Sequence, residues 1–316
     1  MSGELDPQIA QMIEALDSGF PPVHTMTGAQ ARATIRSRFV APAAPEEVAG
    51  VEDRLVGGPD GAIPVRIYHP VGAAAGSLPV LVYAHGGGFV FCDLDSHDGL
   101  CRNIANRTAA VVVSVDYRLA PEYPWPAAAE DVYAVTRWVS DNCAAIGADA
   151  GRIAVGGDSA GGNLAAVTAL MARDRGGPAL VAQLLVYPMI TPDFTTESYR
   201  LYGAGYYNPA EALRWYWDQY APKDSDRTDP YVSPLHADLH GLPPAVVVIA
   251  GHDPLRDEGL RFGEALVEAG VPTVVRRFDG GIHGFMTMPS LQIAQAARAQ
   301  LCRDASALLT GVPAGG

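Results

Sequence analysis

Lysine is almost missing from this chain of 316 residues: of its 22 basic residues only Lys223 is a lysine. Ser-x-x-Lys dyads and lysine-bearing phosphate loops therefore lose their central residue. Cysteine is sparse as well. Cys92, Cys101, Cys143 and Cys302 are scattered, with no Cys-x-x-Cys and no His-Glu-x-x-His. Zinc and thioredoxin-like readings have no ligand set, no metal is expected, and free thiols in a reducing compartment are the expectation. The chain has no apolar run of about 20 residues, which removes a spanning helix. Its first residues, Met1-Ser2-Gly3-Glu4-Leu5-Asp6, carry neither the basic region nor the apolar core of a signal peptide. A cytoplasmic location without stable membrane insertion is the expectation. Positive charge is short too: the formal net charge is −13, which disfavours nucleic acid and anionic lipid as partners.

What the chain does have is alternation. Short apolar runs occur at 79–84, 110–115, 152–155, 182–186, 245–250 and 273–278, with helical stretches between most of them. The runs are mostly apolar rather than alternating, as expected for strands buried on both faces of a parallel sheet. Ahead of them, 51–56 and 63–68 flank the turn-forming Gly57-Gly58-Pro59-Asp60-Gly61, predicting a hairpin at one edge of the sheet. Residues 1 to about 45 read as helical, with Ile9, Met12, Ile13 and Leu16 at helical spacing and a break at Pro21-Pro22. The fold class is thus α/β, with a mainly parallel central sheet flanked by helices. Its expected divisions are N-terminal helices over 1–50, a core over 51–187 and 226–312, and an insertion over 188–225. The insertion gathers Tyr199, Tyr202, Tyr206, Tyr207, Trp215, Tyr216, Trp217 and Tyr220. Two readings stay open for it: a helical core with Leu213, Trp217 and Tyr220 on one face, or a lid shaping an apolar pocket.

The most informative segment is Gly157-Asp158-Ser159-Ala160-Gly161, which follows the strand-like 152–155 and precedes a helix-like stretch from Asn163 to Arg173. Gly-x-Ser-x-Gly between strand and helix is what a nucleophile elbow needs. A serine hydroxyl is a weak nucleophile and requires a base, an acid to orient that base, and donors for the oxyanion. Asp253 and His283 each stand just past a later strand, in the chain order Ser, Asp, His. Asp257 and Glu258 are rivals for the acid, although Pro254 favours a turn at Asp253 and a helix start after it. Donors are expected from His85-Gly86-Gly87-Gly88-Phe89, whose glycines let the backbone present N–H groups; Gly87, Gly88 and Ala160 form the expected trio. His85 and Gly86 support that loop. The alternatives are a packing histidine at 283 and an ordinary glycine-rich turn at 86–88.

Taken with Asp116-Tyr117-Arg118-Leu119-Ala120-Pro121-Glu122, Asp253-Pro254-Leu255-Arg256-Asp257-Glu258-Gly259 and His283-Gly284-Phe285, these motifs occur in order over roughly 50–310. The chain resembles bacterial carboxylesterases of the hormone-sensitive lipase family of α/β-hydrolases, in the branch with aspartate before the serine. The resemblance implies the α/β-hydrolase fold, with a cap built from the N-terminal helices and the insertion. It also implies cleavage of small-molecule esters of short to medium acyl chain, no cofactor, and a homodimer as an available state through an exposed edge strand. The Asp116–Glu122 motif would order the loop under the site. Cys92 departs from the pattern, since such enzymes commonly carry glycine there; it either narrows the pocket or simply packs.

In the mechanism this implies, Ser159 attacks the ester carbonyl, His283 takes its proton, and Asp253 orients the imidazole, giving an acyl-enzyme that water then cleaves. Amide or lactone cleavage by the same triad stays open. So does a non-catalytic small-ligand receptor on the same scaffold, as in plant gibberellin receptors, although those lack the histidine present here as His283. A nucleotide cradle at 156–162 does not fit: Gly-x-Gly-x-x-Gly is absent and Asp158 would repel an anion.

Overall fold

The structure, a computed structural model, describes residues 3–41, 43–72, 77–224 and 226–311. In chain order its main elements are α1 Pro7–Gly19, α2 Gly28–Arg38, β1 Gly50–Gly58, β2 Gly61–His69, β3 Leu78–Ala84, α3 Asp98–Thr108, β4 Val111–Val115, α4 Ala127–Asn142, β5 Ala148–Asp158, α5 Ala160–Asp174, β6 Ala182–Val186, α6 Glu197–Tyr202, α7 Ala210–Tyr220, β7 Ala245–His252, α8 Arg256–Glu268, β8 Thr273–Ile282 and α9 Gln292–Thr310.

The strands form one eight-stranded sheet in the order β1-β2-β4-β3-β5-β6-β7-β8. β1 and β2 make the expected hairpin, and β2 lies antiparallel to β4; every pairing from β4 through β8 is parallel. Every residue of β4, β6 and β7 is buried, which is why those segments read as mostly apolar runs instead of alternating ones. Helix α5 is buried over thirteen of its fifteen residues. Its run of alanine and glycine lets it lie tightly against the sheet, directly behind the serine it follows.

Two expectations needed correction. Helix α2 stops at Arg38 and Phe39 turns to extended backbone, whereas helix was expected to about 45. Prolines at 42 and 45 oppose further helical turns. Strands β5 and β8 run beyond their apolar cores, to Ala148–Asp158 and Thr273–Ile282, because parallel pairing continues where side-chain polarity no longer signals it.

The N-terminal helices have clear local causes. Asp6 caps α1, accepting from the Gln8 and Ile9 N–H groups, with Pro7 in the first turn. Thr27 and Gln30 form a reciprocal capping box on α2. Arg32 of α2 reaches the sheet domain, donating to the carbonyls of Val90 (2.9 Å) and Ala120 (3.0 Å) and to Glu122. His24 meets Glu211 of α7 at 3.3 Å. Within the insertion the aromatic residues divide into two groups. Leu213, Trp217 and Tyr220 are buried, with Tyr220 stacked on Phe89 at 3.8 Å, while Tyr207 and Tyr216 line a pocket over Ser159.

Candidate active site

The parallel strands aim their carboxyl ends at one region, and the loops there hold the candidate residues. Ser159 follows β5, Asp253 follows β7, His283 follows β8, and the His85–Phe91 loop follows β3. The register of β7 against β8 shifts between Ala250 and His252, which re-aims the backbone immediately before Asp253.

Ser159 sits at φ 56°, ψ −119°, a strained conformation that turns the chain from strand to helix. The turn is tight enough that a Cβ at position 161 would stand 2.0 Å from the Ala84 carbonyl oxygen, so only glycine fits. The Ser159 hydroxyl lies 2.9 Å from His283 Nε2, and His283 Nδ1 lies 2.7 Å from Asp253 Oδ2. The other Asp253 oxygen accepts from the Leu255 N–H at 2.8 Å, which fixes the carboxylate. All three side chains are buried. The three residues proposed from the sequence are thus brought into one hydrogen-bonded chain.

The rivals for the acid are engaged elsewhere. Asp257 accepts from the Ser198 N–H and pairs with Arg256, each at 2.8 Å. Glu258 accepts from the Ile190 N–H at 2.7 Å, and burial pushes its carboxyl well above the usual range. His252 Nδ1 is occupied by the Asp279 carbonyl at 2.8 Å.

The glycine loop lies across from the serine. Gly87 has φ 114°, and a Cβ there would meet the Phe91 carbonyl oxygen at 2.1 Å. Among the described residues, the N–H groups of Gly87, Gly88 and Ala160 donate to no protein atom. Ala160 opens α5, so the positive end of that helix faces the same space. The arrangement offers a nucleophile, a base, an orienting acid and unpaired amide donors around one small pocket of about 110 Å³. No group of three or more His, Cys, Asp or Glu side chains is placed to hold a metal ion among the described residues.

A second polar network supports the loop, and sequence reasoning passed over most of it. Asp158 accepts from Tyr83 Oη at 2.8 Å and from the Gly86 N–H at 3.1 Å. His97 Nε2 stands 3.2 Å from Asp158 Oδ1. Burial alone would raise the Asp158 carboxyl, but His97 and the Tyr83 hydrogen bond hold it below the ordinary carboxylate range. The only sequence signal for His97 was a histidine just ahead of α3, which carries no spacing rule. His85 stacks on Tyr117 at 4.4 Å, its Nδ1 is 2.7 Å from the Gly86 carbonyl oxygen, and its own carbonyl accepts from Tyr117 Oη at 2.8 Å. Tyr117, from the Asp116–Glu122 motif, therefore touches the base of the loop.

His85 gives the fold a pH dependence. Burial, with His97 adding to it, lowers its imidazole from 6.5 to about 4. Above pH 6.5 the ring is neutral both folded and unfolded. As pH falls from 6.5 toward 4 the unfolded chain takes up a proton that the folded chain refuses, so stability drops across that window and this contribution levels below it. The expected loss is on the order of 3 kcal/mol. Urea unfolding at about pH 7 and about pH 4 should show it, and His85→Asn should flatten this part of the profile. An unchanged profile in that variant would assign the acid sensitivity elsewhere.

Comparisons with known proteins fit this geometry. A family model described as alpha/beta hydrolase fold matches residues 81–287. The chain is 47% identical over 242 residues to esterase LipI of Mycobacterium tuberculosis, covering 75% of each chain. It is 42% identical over 301 residues to carboxylesterase NlhH of the same organism, covering 93% of each. A hyperthermophilic esterase from the archaeon Pyrobaculum calidifontis superimposes with a TM-score of 0.91 at 42% identity, over 98% of this chain and 99% of that one.

Proposed function

This chain belongs to the hormone-sensitive lipase family of α/β-hydrolases, and on that premise we propose that it cleaves carboxylic esters through Ser159, His283 and Asp253. The observation that carries the proposal is the continuous chain from the Ser159 hydroxyl through the His283 ring to Asp253, at 2.9 Å and 2.7 Å, beside three unpaired amide donors. His283 Nε2 takes the serine proton as Oγ attacks the ester carbonyl. Asp253 keeps the remaining ring proton on Nδ1 and stabilises the imidazolium. The N–H groups of Gly87, Gly88 and Ala160 receive the oxyanion. His283 then returns the proton to the leaving alcohol, and a water repeats the sequence to release the acid.

Helices α1 and α2 and the insertion over 188–225 form the cap in this reading. Phe20, Tyr207, Asn208 and Tyr216 cover the pocket. Its volume of about 110 Å³ suits the short to medium acyl chains we propose as substrates, held mainly by apolar contact. With a series of p-nitrophenyl esters, cleavage should be fastest from acetate to hexanoate and fall for longer acyl groups. Failure to cleave any member would contradict the proposal.

The donor loop makes a separate prediction. Gly87→Ala should cost about 10²–10³ in kcat, because the new Cβ meets backbone at the Phe91 carbonyl and the amide at 87 must move. KM should change far less. Single-turnover acylation rates of the two chains check this; an unchanged acylation rate would remove the Gly87 N–H from the mechanism.

A further inference from the structure

The pocket over Ser159 is one of two clefts that meet at a single side chain. The second cleft, about 280 Å³, lies beside α2 and is lined by Ile35, Phe39, Asp116 and Leu119 among others. Among the described residues, Cys92 alone lines both. On one side it stands next to the oxyanion loop: a Cβ at position 87 would be 3.0 Å from its own Cβ. On the other it faces the wall formed by α2.

The chemistry of the larger cleft favours a neutral chain over an anion. Arg36 pairs with Asp93 at 3.0 Å, and Arg32 is spent on the Val90 and Ala120 carbonyls and Glu122. Among the described residues no unpaired cation is left on that wall for an anion, while Asp93, Asp95 and Asp116 line it and would repel one. Ile35, Phe39 and Leu119 offer apolar contact.

The backbone at residue 92 points the same way. Cys92 has φ 70°, the left-handed region where a Cβ costs energy and glycine does not. That cost falls on a side chain that lines both clefts. Burial pushes the thiol up to about 12, so it stays protonated near neutral pH and acts through its volume.

We infer that Cys92 is a specificity-determining partition: its side chain stops an alkyl chain of the bound ester from passing the oxyanion loop into the cleft beside α2. The inference rests on the serine-esterase reading of the site. The alkyl chain belongs either to the acyl half or to the alcohol half of the ester, and two substrate series separate these. One lengthens the acyl group of p-nitrophenyl esters; the other lengthens the alcohol of acetate esters.

The readout is the ratio of kcat/KM for long over short members, so a general change in rate cancels. In Cys92→Gly the ratio should rise roughly tenfold or more in one series, the scale on which pockets discriminate methylene groups. Cys92→Ala, which removes only the sulfur, should move the same series in the same direction by less. Because it retains the Cβ, it serves as the test should the glycine variant prove poorly folded by circular dichroism. Ratios that stay within about threefold of the parent in both series, for both folded variants, overturn the inference. If the parent chain cleaves short esters while the ratios stay fixed, only the partition fails. If the parent cleaves no ester at all, the serine-esterase reading fails with it.

Discussion

Replacing Ser159 with alanine should lower kcat for ester cleavage on the order of 10⁶-fold. The hydroxyl is the only part lost, and it is the group 2.9 Å from His283 Nε2. Folding should be little affected. Ser159 is already strained at φ 56°, and alanine meets the same backbone restriction with a smaller side chain. KM should stay within a small factor, since the apolar walls formed by Phe20, Tyr207 and Tyr216 remain. Some acceleration over uncatalysed hydrolysis should persist, because the amide donors still stabilise an oxyanion formed by attacking water. Steady-state kinetics on p-nitrophenyl acetate, with a melting curve to verify folding, give the answer. A variant within about tenfold of the parent would mean that another group is the nucleophile.

Asp253→Asn should be the next most damaging change, at about 10⁴-fold in kcat. The carboxylate is buried, with one oxygen held by the Leu255 N–H and the other 2.7 Å from His283 Nδ1. An amide of the same shape satisfies the site only by presenting its NH₂ to the ring. That places the ring proton on Nε2, where it faces the serine hydroxyl and can no longer accept from it. The rivals supply the control. Glu258 is held by the Ile190 N–H, away from the His283 chain, and Glu258→Gln preserves its shape. Asp257→Asn loses a pairing with Arg256 that lies outside the His283 chain. Both controls should stay within about tenfold of the parent. A larger loss in Asp257→Asn than in Asp253→Asn would reassign the acid.

These expectations come from residues whose positions the sequence itself marked. The central strands were legible because burial on both faces writes a nearly unbroken apolar run, as in 79–84 and 245–250. Ser159, Asp253 and His283 stood out because each lies a few residues past a strand-like run, and parallel strands bring their ends together. Legibility failed where no periodic signal exists. The polar ends of β5 and β8 were missed because backbone pairing extends them without an apolar pattern. The end of α2 was misjudged because Phe39-Val40-Ala41, between Arg38 and the first proline, carries no helix breaker.

The network around Asp158 shows a second kind of limit. Tyr83 lies in an apolar strand and His97 in a loop, and nothing in their spacing joins them to the Gly86 N–H. Only the folded backbone brings them together. Cys92 falls between these cases. Its departure from the family's glycine drew notice, but its position between two clefts and its positive φ are properties of the fold.

The claim that supports the rest is that Ser159 is the nucleophile activated by His283. Intact-mass and peptide mass spectrometry after treatment with a fluorophosphonate tests it most directly. We expect one adduct per chain, on the peptide carrying Ser159, formed in step with loss of esterase activity and suppressed in His283→Ala. Complete loss of activity with the adduct on another residue, or full activity with Ser159 stoichiometrically labelled, would contradict the account.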